Sequence, residues 1–233
     1  WYLSANLSND SKLDGHLLPG LEPKGVPRNL KDTVLTFNYN DFEALEELVA
    51  NHEIGVIKME VQRNEPPKDG FLNKIRALAT EKGIVLIFDE CTSGFRETFG
   101  GLHKKYGVDP DLAVFGKALG NGYAITAVVG KRGVMESAQS TFISSTFWTE
   151  RIGPVAALKT LEVMEQVRSW EYITEIGKDI GKRLKCISDK HGLVVEVSGI
   201  PALINYNIKA INWLKYKTFI TQEMLKKGIL ASN

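Results

Sequence analysis

Short apolar runs alternate with amphipathic stretches along most of the chain. The clearest run is residues 84–88, five consecutive apolar positions that predict a buried strand. Asp41 precedes apolar positions at helical spacing, and Gly83 closes a second amphipathic stretch that begins at Phe71, so both stretches predict helices. Further strands are predicted at 33–38, 54–59, 112–115, 124–129, 193–197 and 202–207. Further helices are predicted at 103–106, in two pieces over 151–191 that break near Arg168, and at 216–227.

This alternation predicts an α/β fold, with a largely parallel sheet wrapped by helices. The strand-rich stretch that begins near residue 193 predicts a second, smaller α+β domain. We therefore expect a large domain over residues 1–191 and the start of a small C-terminal domain over residues 192–233.

Charge and cysteine content narrow the class of protein. Lys and Arg number 29 against 28 Asp and Glu, a net charge of +1, which predicts binding to neither nucleic acid nor an acidic membrane surface. No apolar run is long enough to span a bilayer, and the N-terminus has no signal-peptide pattern. The two cysteines and four histidines lack metal-ligand spacing, so we expect no metal and a reduced, cytoplasmic protein.

Two strand ends carry candidate chemistry, because ligands in such sheets bind beyond the carboxyl ends of the strands. Asp89 directly follows the 84–88 run, and Lys117 lies two residues after the 112–115 run. Pyridoxal phosphate needs an amine to hold its aldehyde and a carboxylate to keep its ring nitrogen protonated. Glycines at positions 116 and 120 would let the backbone approach a ligand closely. A solvated lysine and a helix-capping aspartate are the alternatives.

The surrounding motifs resemble class III aminotransferases. The segment 87–96, IFDECTSGFR, resembles that family's FDE-x-x-(S/T)-G-F-R motif, and 106–123 resembles its stretch from the PD pair to the cofactor lysine. The segment 144–151, SSTFWTER, resembles the family's H-T-F-S-G-N-P segment but replaces its small residues. The resemblance covers roughly residues 33–208 and is strongest to the glutamate-1-semialdehyde 2,1-aminomutase group. It implies the large domain of a fold type I pyridoxal-phosphate-dependent transferase.

The resemblance also implies roles for five residues. Asp89 would pair with the ring nitrogen, and Lys117 would form the Schiff base. Cys91 would lie against one face of the ring, although ordinary strand-end packing is an equal interpretation. Thr146 would bind the cofactor phosphate across a dimer interface, or else bond to local backbone. Asn64 would lie near the ring hydroxyl, but the residues before it depart from the family's E-P-V pattern.

The function implied is that of a pyridoxal-phosphate-dependent aminotransferase or aminomutase, a homodimer acting on small amino donors and acceptors. Arg96 or Arg151 would bind a substrate carboxylate, or form a structural ion pair. Both ends of the chain look cut, and the family's phosphate loop would precede Trp1, so we expect an inactive fragment. The alternative is a degenerate relative that acts as a non-catalytic dimerisation or regulatory module.

Overall fold

The computed structural model describes residues 2–14, 20–144, 147 and 149–230. The chain divides into two compact units, Trp1–Gly55 with Pro67–Ile84 and Val56–Pro66 with Val85–Asn233. None of the described helices is both long enough and apolar enough to cross a membrane. The two domains expected from the sequence stay a prediction.

Two helices form the centre of the first unit, α1 (Phe42–Asn51) and α2 (Phe71–Lys82). The side chain of Asp41 accepts a hydrogen bond from the Ala44 N–H at 3.1 Å, which confirms the predicted cap of α1. Gly83 adopts the left-handed conformation that ends α2, also as predicted. The buried face of α2 consists of apolar residues at helical spacing: Phe71, Leu72, Ile75, Leu78 and Ala79.

The predicted strand over residues 33–38 is wrong. The structure describes 34–38 without regular secondary structure, between a turn and the residues that lead into α1. Alternating apolar positions favour an extended chain, but a strand also needs a neighbour that pairs with its N–H and C=O groups. No such ladder forms there within the described part of the unit.

A mixed sheet forms the centre of the second unit. Its strands are β1 (Val56–Glu60), β2 (Val85–Asp89), β3 (Leu112–Phe115) and β4 (Ala127–Gly130), in that spatial order among the described residues. The first three strands run parallel, and β4 runs antiparallel to β3. A short helix, α3 (His103–Tyr106), lies in the connection between β2 and β3. Parallel neighbours end on the same side of a sheet, so β2 and β3 present their carboxyl ends together.

A hydrogen-bond cluster holds the register at the opposite end of the sheet. Asp111 accepts from the Leu86 N–H at 2.8 Å and from the Lys131 ammonium at 2.7 Å, and its carbonyl accepts from the Lys131 N–H at 2.9 Å. Gly130 pairs with Leu112, and a Cβ at Gly130 would lie 2.2 Å from the Asp111 carbonyl oxygen. Only glycine therefore fits at this point of the β3–β4 pair.

Helices and a hairpin complete the second unit. Arg168 adopts a left-handed conformation, with φ of 49°, between two long helices, which confirms the predicted break. The two C-terminal strands form an antiparallel pair, with boundaries shifted from the predicted 193–197 and 202–207. The elements are α4 (Arg132–Met135), α5 (Ile152–Val167), α6 (Ser169–Lys190), β5 (Val195–Ser198), β6 (Asn205–Ile208) and α7 (Trp213–Lys226).

Candidate active site

The carboxyl ends of β2 and β3 bring the predicted acid and the predicted lysine to the same edge of the sheet. Asp89 is the last residue of β2 and pairs in register with Val114 of β3. β3 ends one residue later, Gly116 is extended, and Lys117 opens a short 3-10 helix with φ of 43°. The lysine thus follows the strand through a sharp change of backbone direction.

The amine of Lys117 has one specific partner close by. Its ammonium donates a hydrogen bond to the Thr92 hydroxyl at 2.6 Å, while the residue stays exposed. Thr92 lies in the turn after β2, three residues past Asp89. Sequence reasoning missed Thr92, although its place inside the motif that carries Asp89 was a usable signal.

Both carboxylate oxygens of Asp89 accept a hydrogen bond. Oδ2 accepts from the Lys58 ammonium at 2.8 Å, and Oδ1 accepts from the Cys91 N–H at 3.1 Å. Burial raises the pKa of Asp89, but these hydrogen bonds and the Lys58 charge outweigh burial, so the pKa is lowered overall. The carboxylate therefore stays ionised at neutral pH. Lys58 was also missed, because an exposed residue on β1 looks like an ordinary solvated lysine in the sequence.

Cys91 lies within reach of both predicted charges. Burial raises the pKa of its thiol, and the Asp89 charge and hydrogen bond raise it further, while the Lys117 and Lys58 charges lower it. One half-buried thiol thus senses the carboxylate and the amine together. The structure brings Asp89, Cys91 and Lys117 into one cluster.

Asn64, another predicted cofactor residue, is not part of this cluster. Asn64 lies in the exposed turn after β1, where its carbonyl accepts a hydrogen bond from the Gly199 N–H at 3.0 Å. Its side chain makes no hydrogen bond to Asp89, Cys91 or Lys117. Thr146 lies outside the described residues. The roles of both stay predictions.

A buried acid supports the turn that carries Cys91 and Thr92. Glu90 has no exposed surface, and it accepts from the His103 N–H at 3.0 Å, from His103 Nδ1 at 2.9 Å and from the Ser93 hydroxyl. Burial raises the pKa of Glu90, but the hydrogen bonds from His103 and Ser93 outweigh it, so the pKa is lowered. Gly94 completes the turn, since a Cβ there would lie 2.7 Å from both the Glu90 carbonyl and the Phe115 ring.

The two arginines considered for substrate binding differ in their surroundings. Arg96 is half-buried, its Nε has no hydrogen-bond partner in the described structure, and burial lowers its pKa. Arg151 is exposed and immediately precedes α5. No group of three or more His, Cys, Asp or Glu side chains in the described ranges could hold a metal ion.

Comparison with known sequences identifies relatives of the whole stretch. The class-III aminotransferase family matches residues 29–233. The chain is 36% identical to 3-aminobutyryl-CoA aminotransferase from Cloacimonas acidaminovorans over 208 residues, which is 85% of this chain and 48% of that protein. It is 30% identical to glutamate-1-semialdehyde 2,1-aminomutase from Hyperthermus butylicus over 228 residues, 90% of this chain and 54% of that protein. The chain thus spans about half the length of the curated relatives it matches.

Solved structures match over almost the whole chain. The PLP internal aldimine form of the FumI protein from Sphingopyxis sp. MTA144 superposes with a TM-score of 0.83 at 20% identity, covering 99% of this chain and 60% of that one. An omega-transaminase from Sphaerobacter thermophilus also gives a TM-score of 0.83 at 23% identity, covering 100% of this chain and 59% of that one. These matches confirm the predicted α/β fold with its mostly parallel sheet, consistent with fold type I. The family match over residues 29–233 shows that the chain belongs to the class III aminotransferases.

Proposed function

We propose that Lys117 and Asp89 are the cofactor-holding pair of a pyridoxal-phosphate-dependent enzyme that moves amino groups between small molecules. The observation that carries this proposal is the common edge formed by the ends of β2 and β3. Asp89 and Lys117 follow these two strand ends, and the charges of both act on one thiol, Cys91.

The donor set fits pyridoxal phosphate, the cofactor that class III membership supports. The amine is exposed, and the carboxylate is ionised but only 23% exposed, so it can hold a cationic ring nitrogen with little competition from water. When bound, the cofactor supplies an electron sink that stabilises negative charge on a substrate carbon. Lys117 would hold its aldehyde carbon, Asp89 its ring nitrogen, and Cys91 would lie against one ring face.

Each of these residues would then have a separate role in the reaction. Asp89 keeps the proton on the ring nitrogen, because its lowered pKa makes it a poor acceptor for that proton. After a substrate amine replaces it at the aldehyde carbon, Lys117 Nζ would be free to take a proton from the substrate carbon and return it to another carbon, as a general base and then a general acid. Thr92 holds this amine in one orientation between transfers. Thr146 is proposed to contact the phosphate of a partner subunit, which would make the enzyme a homodimer.

The relatives favour two types of reaction. One is an aminotransferase acting on 3-aminobutyryl-CoA, and the other is a 2,1-aminomutase. Both reactions use the same proton transfers at Lys117, and they differ in whether the amino group leaves with the first substrate. We infer an aminotransferase or aminomutase with a glutamate-1-semialdehyde-like or other amino-acid-like substrate.

The test is covalent labelling of the chain with pyridoxal phosphate. The loaded protein should absorb at roughly 400–430 nm, as expected of an imine on lysine. Borohydride reduction followed by peptide mapping should place the label on Lys117, and Lys117→Ala should remove both signals. Lys159→Ala is the matched control, because Lys159 is an exposed lysine on α5 that pairs with Glu162. A label spread over many surface lysines, with none favoured, would contradict the proposal and support a non-catalytic relative.

A further inference from the structure

Lys58 contacts Asp89 of the cluster, and it has no role in the predictions from the sequence or in the proposed function. It stands on β1 opposite Ile87 of β2, and Asp89 lies two residues further along the same face of β2. Its ammonium therefore reaches diagonally across the strand pair to Asp89 Oδ2, at 2.8 Å. The lysine side chain is 59% exposed, so this ion pair exists at the solvent-facing margin of the site.

The positive charge on Lys58 acts on the Asp89 carboxylate, the group that the proposed function pairs with a cationic ring nitrogen. A carboxylate offers about four lone-pair positions, and the Lys58 ammonium, the Cys91 N–H and the Cys91 thiol use three of them. A ring nitrogen can therefore either share the carboxylate with Lys58 or displace Lys58 from it. If Lys58 shares the carboxylate, its ammonium offsets part of the negative charge that would hold the ring proton. If Lys58 is displaced, cofactor binding must break the Lys58–Asp89 ion pair.

We propose that Lys58 is a positioning residue that acts through Asp89 and weakens its hold on the protonated ring nitrogen of the cofactor. Lys58 keeps the carboxylate ionised and oriented before the cofactor arrives, and it limits the strength of the pairing afterwards. This inference rests on the proposed function of Asp89. It assigns a role to a second cation next to Asp89, supplied by the neighbouring strand β1.

The first experiment needs no cofactor. The carboxyl carbon of Asp89 is followed by NMR in aspartate-labelled protein across pH, with Asp89→Asn used to assign the signal. Lys58→Met should raise the titration midpoint of Asp89, whereas Lys58→Arg should keep it low. Lys209→Met is the control, since Lys209 is a comparably exposed lysine that pairs with Glu196 outside the cluster. An Asp89 midpoint that is the same in wild type and Lys58→Met would overturn the proposal.

Cys91 provides a second cofactor-free measurement. In a Cys186→Ser background Cys91 is the only thiol, and its alkylation rate reports its thiolate fraction. The Lys58 cation lowers the thiol pKa, so Lys58→Met should slow alkylation about threefold at a fixed pH below that pKa. Lys58→Arg should restore the rate. An unchanged rate in Lys58→Met would mean that the Lys58 ammonium is not held next to Asp89, and would contradict the proposal.

The third experiment measures pyridoxal phosphate affinity in a double-mutant cycle. Lys58→Met should tighten binding about threefold when Asp89 is present, and should not tighten it in an Asp89→Asn background. Equal weakening in both backgrounds would mean that Lys58 attracts the phosphate instead, and would refute the inference. If wild type binds no cofactor at all, the proposed function fails, and the carboxyl and thiol measurements alone decide whether Lys58 governs Asp89.

Discussion

Lys117 combines an unusual backbone with an exposed functional group. Its φ of 43° lies in the left-handed region, which non-glycine residues adopt at a cost of order 1 kcal/mol. Glycines at positions 116 and 120 flank it, and a Cβ at Gly120 would lie 2.2 Å from the Tyr123 carbonyl oxygen. A glycine at position 117 would relieve the strain but would remove the amine. The need for an amine at this position therefore explains why a non-glycine residue adopts this conformation.

Thr92 is expected to control how readily that amine reacts. Thr92→Val removes the hydroxyl that accepts from Lys117 at 2.6 Å while keeping the size of the side chain. The loss of one hydrogen bond of about 1 kcal/mol should slow borohydride-trapped labelling of Lys117 by about fivefold. Thr92→Ser should label at the wild-type rate. Equal rates for valine and threonine would show that the hydroxyl does not orient the amine.

The free energy of unfolding should depend on pH through the ionisation of Glu90. Its pKa in the folded chain is lowered from 4.5, so the ionised acid stabilises the fold at pH values above 4.5. This contribution is lost as the pH falls through the lowered value. Glu90→Gln should cost about 2 kcal/mol of unfolding free energy near neutral pH, because His103 and Ser93 lose an ionised acceptor.

Urea unfolding at several pH values checks this expectation. The difference in unfolding free energy between wild type and Glu90→Gln should shrink as the pH is lowered from roughly 7 to 3. Asp109→Asn is a suitable comparison, since Asp109 is an exposed acid in the connection after α3. A difference that is constant across this pH range would mean that the Glu90 carboxylate is not linked to folding.

Close backbone contact defines how α6 packs in the second unit. A Cβ at Gly177 would lie 1.8 Å from the Pro201 carbonyl oxygen, whereas at Gly181 it would meet the end of the Ile204 side chain at 2.8 Å. At Gly133, in α4, it would meet nothing within 4 Å. An added Cβ would thus clash with backbone at Gly177, meet a movable side chain at Gly181 and meet open space at Gly133.

Alanine at each of these glycines should therefore give a graded result. Gly177→Ala should lower the unfolding free energy by about 1–3 kcal/mol, because a backbone segment must move. Gly181→Ala should cost less, since a flexible side chain can give way. Gly133→Ala should stabilise by about 0.5 kcal/mol through lower chain entropy in the unfolded state. Urea midpoints measure all three, and a Gly177→Ala midpoint at or above that of wild type would contradict the packing.

At the scale of the whole molecule, the sequence predicted most elements and the two strand ends that bear Asp89 and Lys117. These features follow from local signals, such as the 84–88 apolar run, the cap at Asp41 and the glycine at position 83. The pairing of Lys58 with Asp89, and of Glu90 with His103, joins residues that are 31 and 13 positions apart. No periodicity encodes such contacts, because they depend on which strands and turns become neighbours. The wrong strand at 33–38 has the same origin.

The glycine at position 130 has a consequence far from where it lies. It fixes β4 against β3 at the base of the sheet, while the lysine follows β3 at the other end. A slip of one residue in that pair would shift β4 by about 3.3 Å along β3 and reverse the side-chain faces of β4. Ala127, which pairs with Phe115 at the end of β3 nearest Lys117, would then lose its partner. A glycine at one end of the sheet thus keeps in register the strand that flanks the end of β3 from which the reactive lysine follows.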